Sequence, residues 1–164
     1  PYTTLFRSMH IHALRRSPAA PDPLVDRWFA GGQLDEMLTG ADYLLVSAPL
    51  TPATRGLIDA RRLALLPRHA VLINLGRGPV VDEAALVSAL AGRCIRGAVL
   101  DVFDQEPLPA GHPFWALDNV LLSPHTADHT ATWLTEAMEF FLSNFERWHA
   151  GQPLQNVTRK HEGY

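Results

Sequence analysis

The stretch AVLINLGRGPVVDEAALVSALAGRCIRGAVLDV, residues 70–102, decides the fold. Its opening, Ala70 to Leu75, is continuously apolar rather than alternating, the pattern of a strand covered on both faces by helices. Gly76-Arg77-Gly78-Pro79 breaks that run. Asp82 then stands where an N-cap belongs, its carboxylate able to accept from the unpaired N–H groups of a first helical turn. Glu83 to Ala91 follows as the helix, closed by Gly92. Gly97 to Val102 is a second continuous apolar run. Strand, helix and strand in immediate succession make a βαβ unit, whose two strands lie parallel.

The same pattern extends in both directions. Upstream, Met9 to Leu14 and Asp42 to Ala48 read as strands and Leu34 to Gly40 as a helix with one apolar face. Asp59 caps a helix over Ala60 to Leu66 that Pro67 stops, and Pro18, Pro21 and Pro23 mark a loop after the first strand. Downstream, Val120 to Ser123 is a fifth strand. The alternation predicts an α/β chain with a Rossmann-like, doubly wound parallel sheet. Leu134, Ala137, Met138, Phe141, Phe145 and Trp148 recur at three- and four-residue steps, so the last long segment is a helix with one apolar stripe, ending at Gly151. That stripe packs either on the chain's own sheet or on a domain outside this sequence, and the polar tail after Pro153 wraps a surface.

Composition narrows the partners. The chain has 164 residues, 47% hydrophobic and 19% charged, with fourteen basic residues scattered among seventeen acidic ones for a net charge of −3. Nothing in that balance attracts nucleic acid or an anionic membrane, so a small-molecule partner is expected. The single cysteine, Cys94, cannot form an intramolecular disulfide and reads as a small buried side chain; no apolar run is long enough to span a bilayer. A cytoplasmic protein is expected. Pro1 to Ser8 (PYTTLFRS) matches no part of the pattern that begins at Met9 and is set aside as a foreign leader, leaving 9–130 as a partial nucleotide-binding domain and 131–164 as a helix and tail.

In an open parallel sheet, ligands bind at the C-terminal edge of the strands. Three successive loops at that edge carry Arg77, Glu106 and His125. A 2-keto acid needs a cation to anchor its carboxylate and polarise its carbonyl, and a proton donor for the oxygen as hydride reaches carbon. Arg77, a guanidinium between two glycines, suits the first task and His125 the second. Glu106 beside the imidazole favours its protonated form and fixes its orientation.

Four ordered segments carry a resemblance. PLTPATRGLI (49–58), LINLGRGPVVD (72–82), LDVFDQEPL (100–108) and SPHTA (123–127) resemble, in order and spacing, the signatures of the D-isomer-specific 2-hydroxyacid dehydrogenases. The resemblance covers Met9 to the C-terminus. It implies that Arg77 binds substrate, His125 is the acid/base, Glu106 is its partner and Asp101 sits near the nicotinamide carboxamide. It further implies cofactor contacts from Pro49, Leu50, Thr54, Leu75, Gly76 and Ala127, a 2-keto or D-2-hydroxy acid substrate, and a homodimer.

Two departures stand out. The glycine-rich turn that seats a pyrophosphate after the first strand is missing, not mutated. In the order 3-2-1-4-5-6, Met9 to Leu14 would be strand 2 and Asp42 to Ala48 strand 3, leaving the central strand 1 outside this chain and a gap in the sheet; the substrate domain is outside it too. The acidic residue expected after strand 2 to hold the ribose of NAD is replaced by Arg15-Arg16-Ser17, which can receive a 2′-phosphate, so NADP is favoured over NAD.

Other residues are read more plainly. His125 and His129, one helical turn apart with Asp128 between them, lack a third metal ligand. His10 and His12 share the side of a partly exposed edge strand, and Trp133 lines either a pocket or a core. The rival function is a non-catalytic NAD(P)-binding regulatory module, which would have no need of a proton-transfer pair.

Overall fold

The computed structural model describes residues 9–15 and 22–158. In order they form β1 (His12–Arg15), β2 (Arg27–Ala30), α1 (Leu34–Leu38), β3 (Tyr43–Val46), α2 (Ala60–Leu63), β4 (Val71–Asn74), α3 (Glu83–Ala91), β5 (Gly97–Leu100), β6 (Val120–Leu122) and α4 (Trp133–His149). All paired strands are parallel. The α/β, Rossmann-like architecture expected from the sequence is what the chain adopts.

The helix ends follow from their capping chemistry. The Asp82 carboxylate accepts from the Ala85 N–H, and the backbone of Gly92 closes α3 on the Leu90 and Ser88 carbonyls. Asp59 accepts from the Arg62 N–H in the same way, but α2 ends at Leu63, a turn short of the expected stop at Pro67.

Pairing divides the strands into a two-stranded sheet, β1-β2, and a four-stranded sheet, β3-β4-β5-β6. This corrects the expected strand order. Asp42 to Ala48 is a strand, but it pairs with β4 and heads the larger sheet; the neighbour of β1 is β2, a strand the sequence reading missed. Arg27-Trp28-Phe29-Ala30 is too short and too mixed to register as an apolar run, with Phe29 its one buried residue. The break in the sheet therefore falls between the β1-β2 pair and β3, and no strand among the described residues bridges them.

Among the described residues, one face of the larger sheet is covered and the other is largely open. The register aligns Leu44, Leu72, Ala98 and Val120 in one cross-strand row and Leu45, Ile73, Val99 and Leu121 in the next. The first row belongs to the core with Leu63 of α2 and Leu86 and Leu90 of α3. On the opposite face, Leu45 and Leu121 are 58% and 65% exposed. The continuous apolar runs had implied helices on both faces; α2 and α3 instead share one face, and α4 contributes no buried residue. Among the described residues nothing covers the α4 stripe, and Phe141 and Trp148 are both exposed. The tail turns back on α4, where Asn144 exchanges two hydrogen bonds with the Gln155 backbone and Arg147 Nε donates to the Pro153 carbonyl.

Helix α1 joins the two sheets. Leu34 and Leu38 enter the core of the larger sheet, while Asp35 accepts from Arg61 (2.7 Å) and Arg62 (2.9 Å) of α2. The hydrogen bonds from Arg61 and then Arg62 bring the Asp35 carboxyl down to about 2. Cys94, expected to be buried, is exposed in the turn after α3.

Candidate active site

The loops at the C-terminal ends of β4, β5 and β6 lie next to one another because the strands are in parallel register. Asn74, buried at the end of β4, shapes the first loop: its side-chain oxygen accepts from the Gly76 N–H (3.1 Å) and its amide donates to the Arg77 carbonyl (3.2 Å). The two glycines around Arg77 permit close approach of neighbouring chain. A Cβ on Gly76 would stand 2.8 Å from the Ala48 carbonyl oxygen, and one on Gly78 would stand 2.0 Å from the Phe103 carbonyl carbon. The loops after β3, β4 and β5 therefore pack backbone to backbone. Arg77 is exposed, with one guanidinium nitrogen donating to the Gly76 carbonyl at 2.7 Å.

Glu106 and His125 are brought together. Glu106 Oε2 lies 2.7 Å from His125 Nδ1, and Glu106 Oε1 accepts from the Phe103 N–H at 3.0 Å. Burial pushes the Glu106 carboxyl up, but the hydrogen bonds from His125 and Phe103, aided by the charges of His125 and Arg77, outweigh it and hold it below its ordinary value. An ionised Glu106 can only accept, so the His125 Nδ1 carries the proton of this pair and Nε2 is the ring atom left for other chemistry. The Glu106 loop is also held from α3, where Glu83 accepts from the Asp104 N–H (3.1 Å) and pairs with His112 (3.1 Å). Burial, followed by the Glu83 charge, raises the Asp104 carboxyl.

A cleft of about 650 Å³ opens beside this pair. Its walls are largely apolar, with Phe103, Leu108, Trp115, Leu122 and Pro124 around Glu106 and His125. Trp115 is the aromatic the sequence reading missed. Trp133, singled out instead, is 41% exposed and stacks on His129 with ring centroids 4.8 Å apart, so it belongs neither to the core nor to this cleft wall.

The remaining sequence candidates separate. Pro49 is exposed after β3, Leu50 packs partly against the core, and the Thr54 hydroxyl donates to the Pro49 carbonyl at 2.6 Å, so Thr54 shapes that loop. Leu75 is 42% exposed at the same sheet edge. Asp101 is buried, and its oxygens accept from the Ser123 hydroxyl and from the N–H groups of Thr126 and Ala127. Arg15 ends β1 with its guanidinium 5.7 Å from the centre of the Trp28 ring. Arg16 and Ser17 lie outside the described residues. His12 tilts against Phe29 at 5.5 Å, and His10 faces Asp26 at 3.9 Å.

Comparison with known proteins identifies the family and the fold. The family model described as D-isomer specific 2-hydroxyacid dehydrogenase, NAD binding domain, matches residues 6–127, opening three residues before Met9. A glyoxylate reductase of Thermofilum pendens is 50% identical over 97 residues, which are 59% of this chain and 29% of that protein. The crystal structure of a D-isomer specific 2-hydroxyacid dehydrogenase from Xanthobacter autotrophicus, in complex with NADPH and MES, superposes with a TM-score of 0.85 at 45% identity, covering 93% of this chain and 62% of that one. An NADPH-dependent glyoxylate/hydroxypyruvate reductase from Sinorhizobium meliloti, in complex with NADP and sulfate, gives 0.87 at 32% identity, covering 96% and 50%. The chain thus spans less than two thirds of the length of these relatives. It belongs to the D-isomer-specific 2-hydroxyacid dehydrogenase family, and what it carries is that family's NAD-binding domain.

Proposed function

We propose that this chain is the nucleotide-binding and proton-transfer half of an NADP-preferring reductase of small 2-keto acids, of the glyoxylate/hydroxypyruvate type. The observation that carries the reading is the 2.7 Å contact between His125 and Glu106 at the mouth of a cleft on the sheet's C-terminal edge. The exposed residues at that edge suit a dinucleotide: Pro49 follows β3, Leu75 and Arg77 flank the close-packed Gly76 after β4, Ala127 lies on the loop after β6, and Arg15 ends β1 where a 2′-phosphate would be held. NADPH, bound in the solved Xanthobacter relative and the cofactor on which the Sinorhizobium relative depends, would supply the hydride.

This chain's own residues do the rest. Arg77 anchors the substrate carboxylate with paired hydrogen bonds and draws electron density from the carbonyl. His125, carrying a proton on Nε2 as imidazolium, delivers it to the carbonyl oxygen as hydride arrives at carbon. Glu106 accepts from Nδ1 throughout, so the imidazolium forms next to a carboxylate and the ring keeps one orientation. In the reverse direction the same atom takes the hydroxyl proton of a D-2-hydroxy acid. Full activity belongs to a homodimer of a longer polypeptide, whose further residues cover the open Leu45–Leu121 face and the α4 stripe; the 164-residue chain alone is inactive. The length of the relatives supports this, as does the exposed apolar surface.

The test follows loss of NADPH and NADH absorbance with glyoxylate and hydroxypyruvate, for the 164-residue chain and for a form extended upstream to its relatives' length. Turnover confined to the extended form, faster with NADPH, is expected. Turnover by neither form with either acid would overturn the reductase reading.

A further inference from the structure

We infer that Asp101 is a positioning residue for His125, holding the loop after β6 in the one backbone conformation that presents the imidazole to Glu106. The inference rests on the proton-transfer reading of His125. Three observations carry it.

Asp101 is buried, 2% exposed, at the end of β5, and the hydrogen bonds its carboxylate accepts come from the neighbouring loop. Oδ1 accepts from the Ser123 hydroxyl (2.5 Å) and the Thr126 N–H (2.9 Å), and Oδ2 accepts from the Ala127 N–H (2.9 Å). These donors flank His125 on both sides. Secondly, His125 has φ +55°, a left-handed conformation that is unfavourable for a residue with a Cβ. Something must hold it there. The anchored N–H groups immediately after His125 belong to a loop that bends at that residue, and a single carboxylate collects them. Thirdly, the ring the loop presents meets Glu106 at 2.7 Å, a contact that a small change in the His125 backbone would break.

A buried carboxylate supplied with three donors is held ionised: burial raises it, but the Ser123, Thr126 and Ala127 bonds and the nearby His125 charge bring it below its ordinary value. The negative charge matters to the clip. An amide at this position keeps one accepting oxygen and turns an N–H₂ toward a backbone N–H, so at least one of the three bonds is lost and a repulsive contact replaces it. The two roles of the adjacent acids therefore differ. Glu106 acts on the ring directly, whereas Asp101 acts through the backbone that carries the ring.

The test is amide exchange and imidazole NMR on the 164-residue chain, which needs neither cofactor nor activity. In Asp101→Asn the Thr126 and Ala127 amides should exchange on the order of tenfold faster or more, while the β4 and β5 ladder amides keep their rates. The His125 Nδ1–H resonance should disappear as the ring samples both tautomers. In Glu106→Gln that resonance should change while the Thr126 and Ala127 amides stay protected. A purely structural Asp101 would speed exchange throughout the sheet or nowhere. Unchanged Thr126 and Ala127 exchange with an unchanged His125 resonance, in a folded Asp101→Asn chain, would overturn the inference. Should that variant unfold, Ser123→Ala removes one donor and keeps the carboxylate: faster exchange at the same two amides supports the clip, and unchanged exchange overturns it. Failure here leaves the reductase reading standing, and failure of the reductase assay leaves the clip standing.

Discussion

Glu106 is bonded at both oxygens, to the imidazole of His125 nineteen residues onward and to the backbone N–H of Phe103 three residues back. One carboxylate thereby ties the loop after β5 to the loop after β6. Because these bonds hold Glu106 below its ordinary value, its contribution to stability is complete above about pH 4.5 and is lost as pH falls through the lower folded value. Urea unfolding of the chain between about pH 6 and pH 3 should show a fall in stability that is shallower in Glu106→Gln. In an active form the same substitution should lower kcat by roughly ten- to a hundredfold, since the acid/base loses its charged partner.

Gly78 is where the Arg77 loop and the Glu106 loop touch. Gly78→Ala places a Cβ 2.0 Å from the Phe103 carbonyl carbon, which no rotamer relieves, so the two loops must separate. A loss of more than about 2 kcal/mol is expected by urea unfolding. Gly111→Ala, with nothing within 4 Å of the new atom, should change stability by less than about 0.5 kcal/mol.

Asp35 links the β1-β2 unit to the larger sheet through Arg61 and Arg62. Its carboxyl, lowered from 3.8 to about 2, contributes fully above about pH 3.8 and is lost as pH falls toward 2. Asp35→Asn should speed amide exchange in β1 and β2 at neutral pH while leaving the β4 amides alone. Equal acceleration in both sheets would contradict this placement of the link.

Helix α4 carries an apolar stripe that nothing within the described residues buries. Phe141→Lys, at a side chain 59% exposed, should change the unfolding free energy of the 164-residue chain by less than about 0.5 kcal/mol. A loss of about 3 kcal/mol, the cost of opening a core, would show that α4 packs on this chain's own sheet in solution.

Much of this was legible in the sequence where local chemistry decides. Asp82 and Gly92 bracket α3 as read, and the continuous runs at 70–75 and 97–102 are the two central strands of the larger sheet. Arg77, Glu106 and His125 could be placed at one edge because parallel strands end on the same side. What failed depended on neighbours distant in sequence. The strand at Arg27–Ala30 has one buried residue and gains its identity by pairing with β1, so strand counting slipped by one and misplaced Asp42 to Ala48. The choice between Trp133 and Trp115 turned on which loop folds over the cleft. The three donors on Asp101 come from a loop more than twenty residues away, and no pattern around Asp101 announces them.

The central claim is that Arg77 binds the keto acid and His125 transfers its proton, and steady-state kinetics of the upstream-extended enzyme with NADPH tests it most directly. The account predicts that Arg77→Ala chiefly raises KM for the keto acid, whereas His125→Ala lowers kcat by roughly 10²–10⁴-fold with KM little changed. A His125→Ala enzyme that turns over at the parent rate would contradict it.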